Sequence, residues 1–151
     1  MILAELSQLF ERDLKKLSNQ IAMYKDEDLL WTKASGISNS AGNLALHING
    51  NLQHFVGAVL GETGYIRDRE FEFGDQKVPK QQIIDEVELT IAVVQKTLSN
   101  MVDNQLGVLY PIEVFGQPMS TSFFLMHLHS HLNYHLGQIN YHRRILSKNA
   151  G

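Results

Sequence analysis

Met126–Arg144, MHLHSHLNYHLGQINYHRR, is the segment that holds five of the seven histidines of this 151-residue chain. An α-helix turns by about 100° per residue, so residues three or four apart lie on one face. Four of the histidines and one glutamine then share a stripe about 80° wide: His127, His131, His135, Gln138 and His142. His129 points to the opposite side, at about 200°. The segment therefore predicts a helix with one histidine-rich face.

Histidines at positions i and i+4 of a helix can bind one divalent metal ion. The remaining two histidines, His47 and His54, are seven residues apart and share a face of another predicted helix. Metal sites in helix bundles are built by ligands on facing helices. The smallest such set is His47, His131 and His135, with His127 and His54 as reserve candidates. Three protein ligands leave positions for water or substrate, which is typical of a reactive site.

The rest of the chain predicts an all-α four-helix bundle, with residues 1–151 as a single domain. Apolar residues at three- and four-residue steps predict a first helix over residues 2–24. The second begins after Ser38 or Ser40 and runs to about residue 60, and the third begins at Pro79. The fourth begins after residue 120 or 121 and ends near residue 147. Long connections join helices 2 and 3 and helices 3 and 4, and a hairpin at 108–116 is not distinguished from a loop.

Polar residues near the predicted site leave several interpretations open. Asn43 and Asn51 share the stripe of His47, where they could orient the histidine or satisfy helix ends and backbone groups. The connection GETGYIRDREFEFGDQKVP holds Arg67 and Arg69 beside acidic residues. Local ion pairing at the surface explains these arginines, and so does a site cavity in which they receive an anionic cosubstrate.

Composition excludes several classes of function. The net charge is −3, so the chain has no basic field for nucleic acid or an anionic membrane. The absence of cysteine excludes disulfides, a cysteine nucleophile and thiolate ligands, which leaves histidine and carboxylate as metal ligands. The first residues are not a signal peptide, and no apolar run reaches the roughly 18 residues of a membrane span. A cytoplasmic protein with a small-molecule substrate is expected.

The motif H-x3-H-x-G-Q, here His131, His135, Gly137 and Gln138 in HLNYHLGQ, resembles the signature of the DinB-like superfamily. The stretch NLALHINGN, which carries His47, resembles the first ligand region of that superfamily. The segment RDREFEF is similar to a feature of an uncharacterised branch within it. The resemblance covers nearly the whole chain, with the motifs in the same order and at similar spacing.

This resemblance implies an up-down-down-up four-helix bundle with a divalent metal held by His47, His131 and His135. Zinc or nickel is the expected metal, iron is a further option, and a homodimer is expected. Characterised relatives include a mycothiol-dependent isomerase and bacillithiol S-transferases. The resemblance thus implies a transferase in which the metal lowers the pKa of an exogenous low-molecular-weight thiol. Gln138, one turn beyond His135, would orient a ligand or bond the backbone.

Two alternatives to the transferase remain. A hydrolase would use metal-bound water. Neither histidine stripe contains a carboxylate that could act as general base, so Glu62, Glu70 or Glu72 would have to reach the site from the long connection. The other alternative is a non-catalytic metal-binding protein of a stress response.

Overall fold

The computed structural model describes residues 1–149 and is built from α-helices. The long helices are α1 (Ile2–Ala22), α3 (Ala41–Leu52), α6 (Lys80–Asn100) and α7 (Thr121–Asn149). Short helices lie between them: α2 (Glu27–Leu30), α4 (Val59–Gly61), α5 (Arg69–Glu72), a π-helix (Gln53–Ala58) and a 3₁₀-helix (Asp103–Gly107). Within this range the chain forms no β-strand, only an isolated bridge between Leu109 and Ser120. The predicted all-α class is confirmed.

The first helix sets the directions of two of its neighbours. Helix α1 packs against α6 and α7. Asp13 of α1 contacts His129 of α7. Tyr24, just beyond the end of α1, contacts His142 further along α7, so the two helices are parallel. The amino terminus of the chain contacts Asp103, just beyond the end of α6, so α1 and α6 are antiparallel.

Helix α3 completes the bundle by packing against α6 and α7, the same two helices that α1 contacts. His47 contacts His131, whereas Phe55, further along the chain, contacts the earlier residue Phe124. Helix α3 is therefore antiparallel to α7, and consequently parallel to α6. The order up-down-down-up follows, and the predicted four-helix bundle with two long connections is confirmed.

Burial differs between the helices in a way that positions the site. Helix α1 buries one apolar stripe, Leu3, Leu6, Phe10, Leu14, Leu17 and Ile21, and leaves its other side in water. In contrast, every residue of α3 is buried. Ser40 begins this helix by accepting a hydrogen bond from the backbone N–H of Asn43 at 3.1 Å. Polar side chains within α3, His47 among them, must consequently find partners inside the protein.

The predicted second helix does reach residue 61, although not as one regular α-helix. After α3 it widens into the π-helix before α4 begins. Tyr110 donates a hydrogen bond of 2.6 Å to the carbonyl of Phe55 within this wider turn. Wider turns of this kind leave the ordinary helical bonding pattern and often lie beside functional sites. Tyr110 belongs to the 108–116 segment, which forms a loop closed by the Leu109–Ser120 bridge rather than a two-stranded hairpin.

Among the helices of residues 1–149, none combines the length and the apolar character that crossing a lipid bilayer requires.

Candidate metal centre

Three histidine side chains meet between α3 and α7. The Nε2 atom of His131 lies 3.0 Å from Nε2 of His47 and 3.2 Å from Nε2 of His135. One nitrogen from each of the three residues lies within 4.8 Å of the other two. The i, i+4 pair of α7 thus faces the single histidine of α3, as the stripe argument predicted.

The opposite ring nitrogens of two of these histidines have acceptors that fix their tautomers. Nδ1 of His47 lies 3.0 Å from Oε1 of Glu72, and Nδ1 of His135 lies 2.7 Å from Oε1 of Gln138. The amide oxygen of Gln138 only accepts hydrogen bonds, so Nδ1 of His135 carries the proton. Nδ1 of His47 also lies 3.1 Å from a terminal nitrogen of Arg67, but that nitrogen donates to Oε1 of Glu72 at 2.9 Å, so the carboxylate is the acceptor that assigns the proton to Nδ1 of His47. The Nε2 atoms of His47 and His135 therefore present lone pairs to the point where the three rings meet.

The third histidine is also held in its neutral form. Burial, together with the neighbouring rings of His135 and His47, lowers the pKa of His131 from its ordinary 6.5 to about 3. Burial lowers the pKa of His135 as well, against the hydrogen bond to Gln138, which raises it. Neutral imidazoles are the form that binds metal ions, so at pH 7 both residues are ready to act as ligands.

This arrangement fits a divalent ion with nitrogen ligands. Two ligands of a tetrahedral ion with bonds of about 2.0–2.1 Å lie about 3.3 Å apart. The observed separations of 3.0 and 3.2 Å are close to that value. His131 and His135 are only partly buried, whereas His47 is buried, so the centre is open on the α7 side. The donor set suits zinc, nickel, iron or copper, and an open position remains for a substrate.

Glu72, which orients His47, is itself part of a buried ion pair. Arg67 donates from Nε to Oε2 and from a terminal nitrogen to Oε1 of this carboxylate, both at 2.9 Å. The exposed fraction of the side chain is 4% for Glu72 and 12% for Arg67. Burial by itself would raise the pKa of Glu72, but the hydrogen bonds from His47 and Arg67 outweigh it and lower that pKa. The carboxylate is consequently ionised beside the ligand, and Arg67 neutralises its charge.

A glycine of α3 makes room for this carboxylate. A Cβ atom built on Gly50 would collide with the carboxyl group of Glu72 and lie 2.7 Å from its Cδ atom. Gly50 is three residues after His47, on the same side of the helix. The absence of a side chain at Gly50 allows Glu72 to approach the helix closely enough to contact the Nδ1 atom of His47.

The segment that carries Glu72 is anchored to the beginning of α3. The side-chain amide of Asn43 donates to the carbonyls of Glu72 and Gly74 at 3.0 and 2.9 Å. Asp68 caps the short helix α5 by accepting from the backbone N–H of Phe71 at 2.9 Å. The connection between the second and third long helices is therefore ordered by the site that it completes.

Comparison with known proteins agrees with this fold. The model of the family described as "Protein of unknown function (DUF1572)" matches residues 2–150. The chain belongs to this family. No curated protein matches the chain.

Among solved structures, the chain is similar to a DinB-like protein from Bacillus cereus ATCC 10987, with a TM-score of 0.68 and 22% sequence identity. The similarity covers 89% of this chain and 86% of that protein. At this level of identity the likeness concerns the fold. It confirms the helical-bundle fold that the resemblance of the histidine motifs to the DinB-like superfamily implied.

Within this DUF1572 member, the reserve histidines remain outside the group of three. The ring of His127 stacks on Phe124, with centroids 5.9 Å apart, and its centroid is 6.4 Å from that of His131. His54 lies in the π-helix against Phe55. Burial, followed by the charge of Arg67, lowers the pKa of His54. Both histidines therefore line the surroundings of the centre without converging on it.

The remaining polar candidates occupy different environments. Arg67 reaches the site, where its guanidinium donates two hydrogen bonds to Glu72 and places a terminal nitrogen 3.1 Å from Nδ1 of His47. Arg69 is exposed, and its Cζ atom lies 5.9 Å from the centroid of the Phe73 ring. Asn51 is buried, and its Oδ1 atom has no hydrogen-bond partner. The asparagine that matters is Asn43, which bonds backbone carbonyls rather than a histidine.

Two further histidines of α7 stabilise the bundle. His129 bonds the buried carboxylate of Asp13 at 2.8 Å, which joins α7 to α1. His142 accepts a hydrogen bond from the hydroxyl of Tyr24 and donates to the carbonyl of Thr32, at 2.6 and 2.7 Å. The histidines of α7 thus divide into ligand candidates and structural residues.

The role of Glu72 was not predicted from the sequence, where this residue was a candidate for a general base. Its carboxylate contacts the Nδ1 side of His47, away from the point where the three Nε2 atoms meet. The available signal was a carboxylate in an aromatic-rich connection that also holds Arg67 and begins with a glycine.

Proposed function

We propose that this protein binds one divalent metal ion through Nε2 of His47, His131 and His135 and catalyses the transfer of a low-molecular-weight thiol to a small electrophile. The observation that carries this proposal is the convergence of the three Nε2 atoms. Acceptors on Glu72 and Gln138 hold two of the three rings with their lone pairs directed inward. Zinc and nickel are the leading candidates for the ion.

The thiol part of the proposal is supported by three features. The chain contains no cysteine, so any reacting sulfur must come from a cosubstrate. The half-buried faces of His131 and His135 leave the centre accessible to a small molecule. The H-x3-H-x-G-Q motif resembles that of thiol-dependent enzymes, which is an argument by analogy. A bound ion in such a site lowers the pKa of a thiol, so that the thiolate is present at neutral pH.

The residues of the chain then have distinct tasks. Glu72 holds the Nδ1 proton of His47, and Gln138 holds that of His135, so the ligand rings keep one orientation. Arg67 balances the charge of Glu72 in the protein interior. During transfer the thiol loses its proton to solvent, the sulfur electron pair forms a bond to the electrophilic carbon, and the leaving group departs with the electron pair of the broken bond.

A hydrolase is less well supported by the geometry. General-base catalysis needs a carboxylate within hydrogen-bond reach of the attacking water. Glu72 lies behind the His47 ring and is occupied by Arg67, while Glu62 and Glu70 are exposed. A thiol transfer needs no such base, because a low-pKa thiol is already ionised.

The test is a conjugation assay with monochlorobimane, which becomes fluorescent when chloride is replaced by a thiol sulfur. Zinc- or nickel-loaded protein is combined in turn with cysteine, glutathione, bacillithiol and mycothiol. We expect at least one thiol to react faster than without protein, and His135→Ala to abolish the acceleration while His127→Ala retains it. Metal-loaded protein that accelerates none of these reactions would contradict the transferase and favour a non-catalytic metal-binding protein. Metal-dependent hydrolysis of p-nitrophenyl acetate without thiol would favour the hydrolase.

A further inference from the structure

A groove of about 680 Å³ lies between α7 and the segment that precedes α3. Its walls include Ile37 and Leu44 on one side and Tyr141 and Ile145 on the other. This volume lies in the range of small-molecule sites. The groove lies beside the three-histidine centre, although none of the three ligand candidates lines it.

Two residues connect the groove with the centre. Gln138 lines the groove and also accepts the Nδ1 hydrogen bond of His135 at 2.7 Å. Leu44 lines the groove and precedes His47 by three residues on α3. By the helical rise of 1.5 Å per residue, the α7 wall of the groove begins at Gly137, about 3 Å from His135 along the helix axis, and ends at Ile145, about 15 Å from His135. A molecule of ordinary substrate length can therefore span both.

The lining of the groove favours an uncharged apolar ligand. No Asp, Glu, Lys or Arg is among its lining residues in the part of the chain that the structure describes. The side walls expose large apolar side chains, with Ile37 46%, Tyr141 63% and Ile145 54% exposed. Large exposed apolar residues gathered around one concave surface are typical of a binding site.

The polar residue His142 does not need a hydrogen bond from a ligand. Its Nδ1 atom accepts from the hydroxyl of Tyr24 and its Nε2 atom donates to the carbonyl of Thr32. Both ring nitrogens are therefore satisfied by the protein. The bond to Thr32 also attaches to α7 the segment that leads into the opposite wall of the groove.

We infer that this groove binds the uncharged alkyl or aryl tail of the electrophilic substrate, while the reactive head of the substrate lies at the three-histidine centre. This inference rests on the proposed function and names the substrate class for the same site. Gln138 stands at the junction, where it holds His135 on one side and contacts the tail on the other. The expected substrates are hydrophobic electrophiles rather than charged metabolites.

The test uses alkyl hydroxamic acids, whose headgroup chelates divalent metal ions and whose tail length can be varied. Acetohydroxamic, butanohydroxamic, hexanohydroxamic and octanohydroxamic acid are titrated calorimetrically into zinc-loaded protein. Burial of apolar surface should lower the dissociation constant about two- to fourfold per methylene group that enters the groove. A dissociation constant that does not change with tail length would overturn the inference.

Paired variants decide where the tail binds. Tyr141→Asp places a charge in the groove wall about 9 Å from His135 along α7. Phe123→Asp changes a residue on α7 that is similarly exposed, 58% against 63% for Tyr141, and lies outside the groove. We expect Tyr141→Asp to weaken the binding of octanohydroxamic acid about tenfold or more and to leave that of acetohydroxamic acid unchanged, because only the longer tail reaches this wall. Phe123→Asp should match the wild type. Equal effects of the two variants on the longer ligand would place the tail elsewhere and overturn the inference.

Elemental analysis of the loaded protein separates the two possible failures. If the protein contains zinc and binds acetohydroxamic acid, but longer tails do not increase the affinity, the groove is not the tail site and the metal centre is still supported. Protein that takes up no zinc disproves the proposed function and, with it, the inference that depends on it.

Discussion

Glu72 and His47, which are 25 residues apart in the chain, are joined by a 3.0 Å hydrogen bond between Oε1 and Nδ1 in the interior of the bundle. The carboxylate fixes the ring on one side, and the ring directs Nε2 toward the two histidines of α7 on the other. Carboxylate–histidine pairs of this kind orient metal ligands and make them more basic. The connection between α3 and α6 thereby becomes part of the site.

Replacement of Glu72 by Gln should weaken metal binding about ten- to a hundredfold. The amide keeps the shape of the side chain but loses the negative charge that favours the Nδ1 proton of His47. A competition titration with a fluorescent chelator measures the affinity. The matched control is Glu70→Gln, which changes an exposed glutamate of the same short helix. Equal affinities of the two variants would show that Glu72 does not support the site.

Replacement of Gly50 by Ala should destabilise the protein by about 1–3 kcal/mol, as overpacking of an interior does. The new methyl group collides with the carboxyl group of Glu72, which cannot move without breaking its bonds to Arg67 and His47. Urea unfolding measures the change. Gly137→Ala is the control, since a Cβ there meets nothing within 4 Å, and helix propensity predicts a gain of about 0.5–1 kcal/mol. A Gly50→Ala protein as stable as the wild type would contradict the close approach of Glu72.

The metal-free protein should lose stability as the pH falls below about 6.5, because the pKa of His131 is lowered to about 3 in the fold. Between these values the unfolded chain binds a proton that the folded protein does not, so acid favours unfolding, and above pH 6.5 the effect vanishes. Urea unfolding at pH 7.5 and pH 5 in the presence of a chelator measures this difference. His131→Gln, which cannot take up the proton, should show a smaller difference. An identical difference in both proteins would refute the lowered pKa.

Replacement of Asp13 by Asn should destabilise the bundle by about 1–3 kcal/mol and leave metal affinity unchanged. The side chain of Asp13 is fully buried, and its carboxylate accepts from Arg12, His129 and Asn133. These bonds join α1 to the face of α7 that lies opposite the metal centre. Thermal unfolding and the chelator titration measure the two effects separately.

The control for that variant is Asp75→Asn, whose side chain is 99% exposed and should change stability by less than about 0.5 kcal/mol. If Asp13→Asn reduced metal affinity as strongly as Glu72→Gln, the two faces of α7 would not be independent as described.

The bundle and the three central histidines were predictable because their signals are local. The three- and four-residue steps of apolar side chains along α1 and α6 specify amphipathic helices without knowledge of their neighbours. The spacing of His131 and His135 places both on one face of α7. The facing helix offers His47, with His54 as a reserve candidate on the same face. The same helical geometry predicted that His129 points away from the other histidines, and its contact with Asp13 of α1 agrees with that prediction.

The rest depended on contacts between distant segments. His127 shares the helical stripe of His131, but Phe124 and Phe115 contact its ring, and no periodicity reveals that packing. Glu72 reaches His47 only because Gly50 leaves space and Asn43 holds the backbone of the connection. Residues of a long connection have no fixed register with a helix, so sequence spacing alone could not assign this partner.

The most direct test of a three-histidine metal centre is the metal content of the untagged protein, measured by elemental analysis after purification and after loading with zinc or nickel. We predict about one divalent ion per chain in the wild type, as one such site requires. His135→Ala should lose the ion, and His127→Ala, which changes the neighbouring histidine outside the group of three, should keep it. A wild-type protein that takes up no ion after loading, or a His135→Ala variant that holds as much as the wild type, would contradict the account.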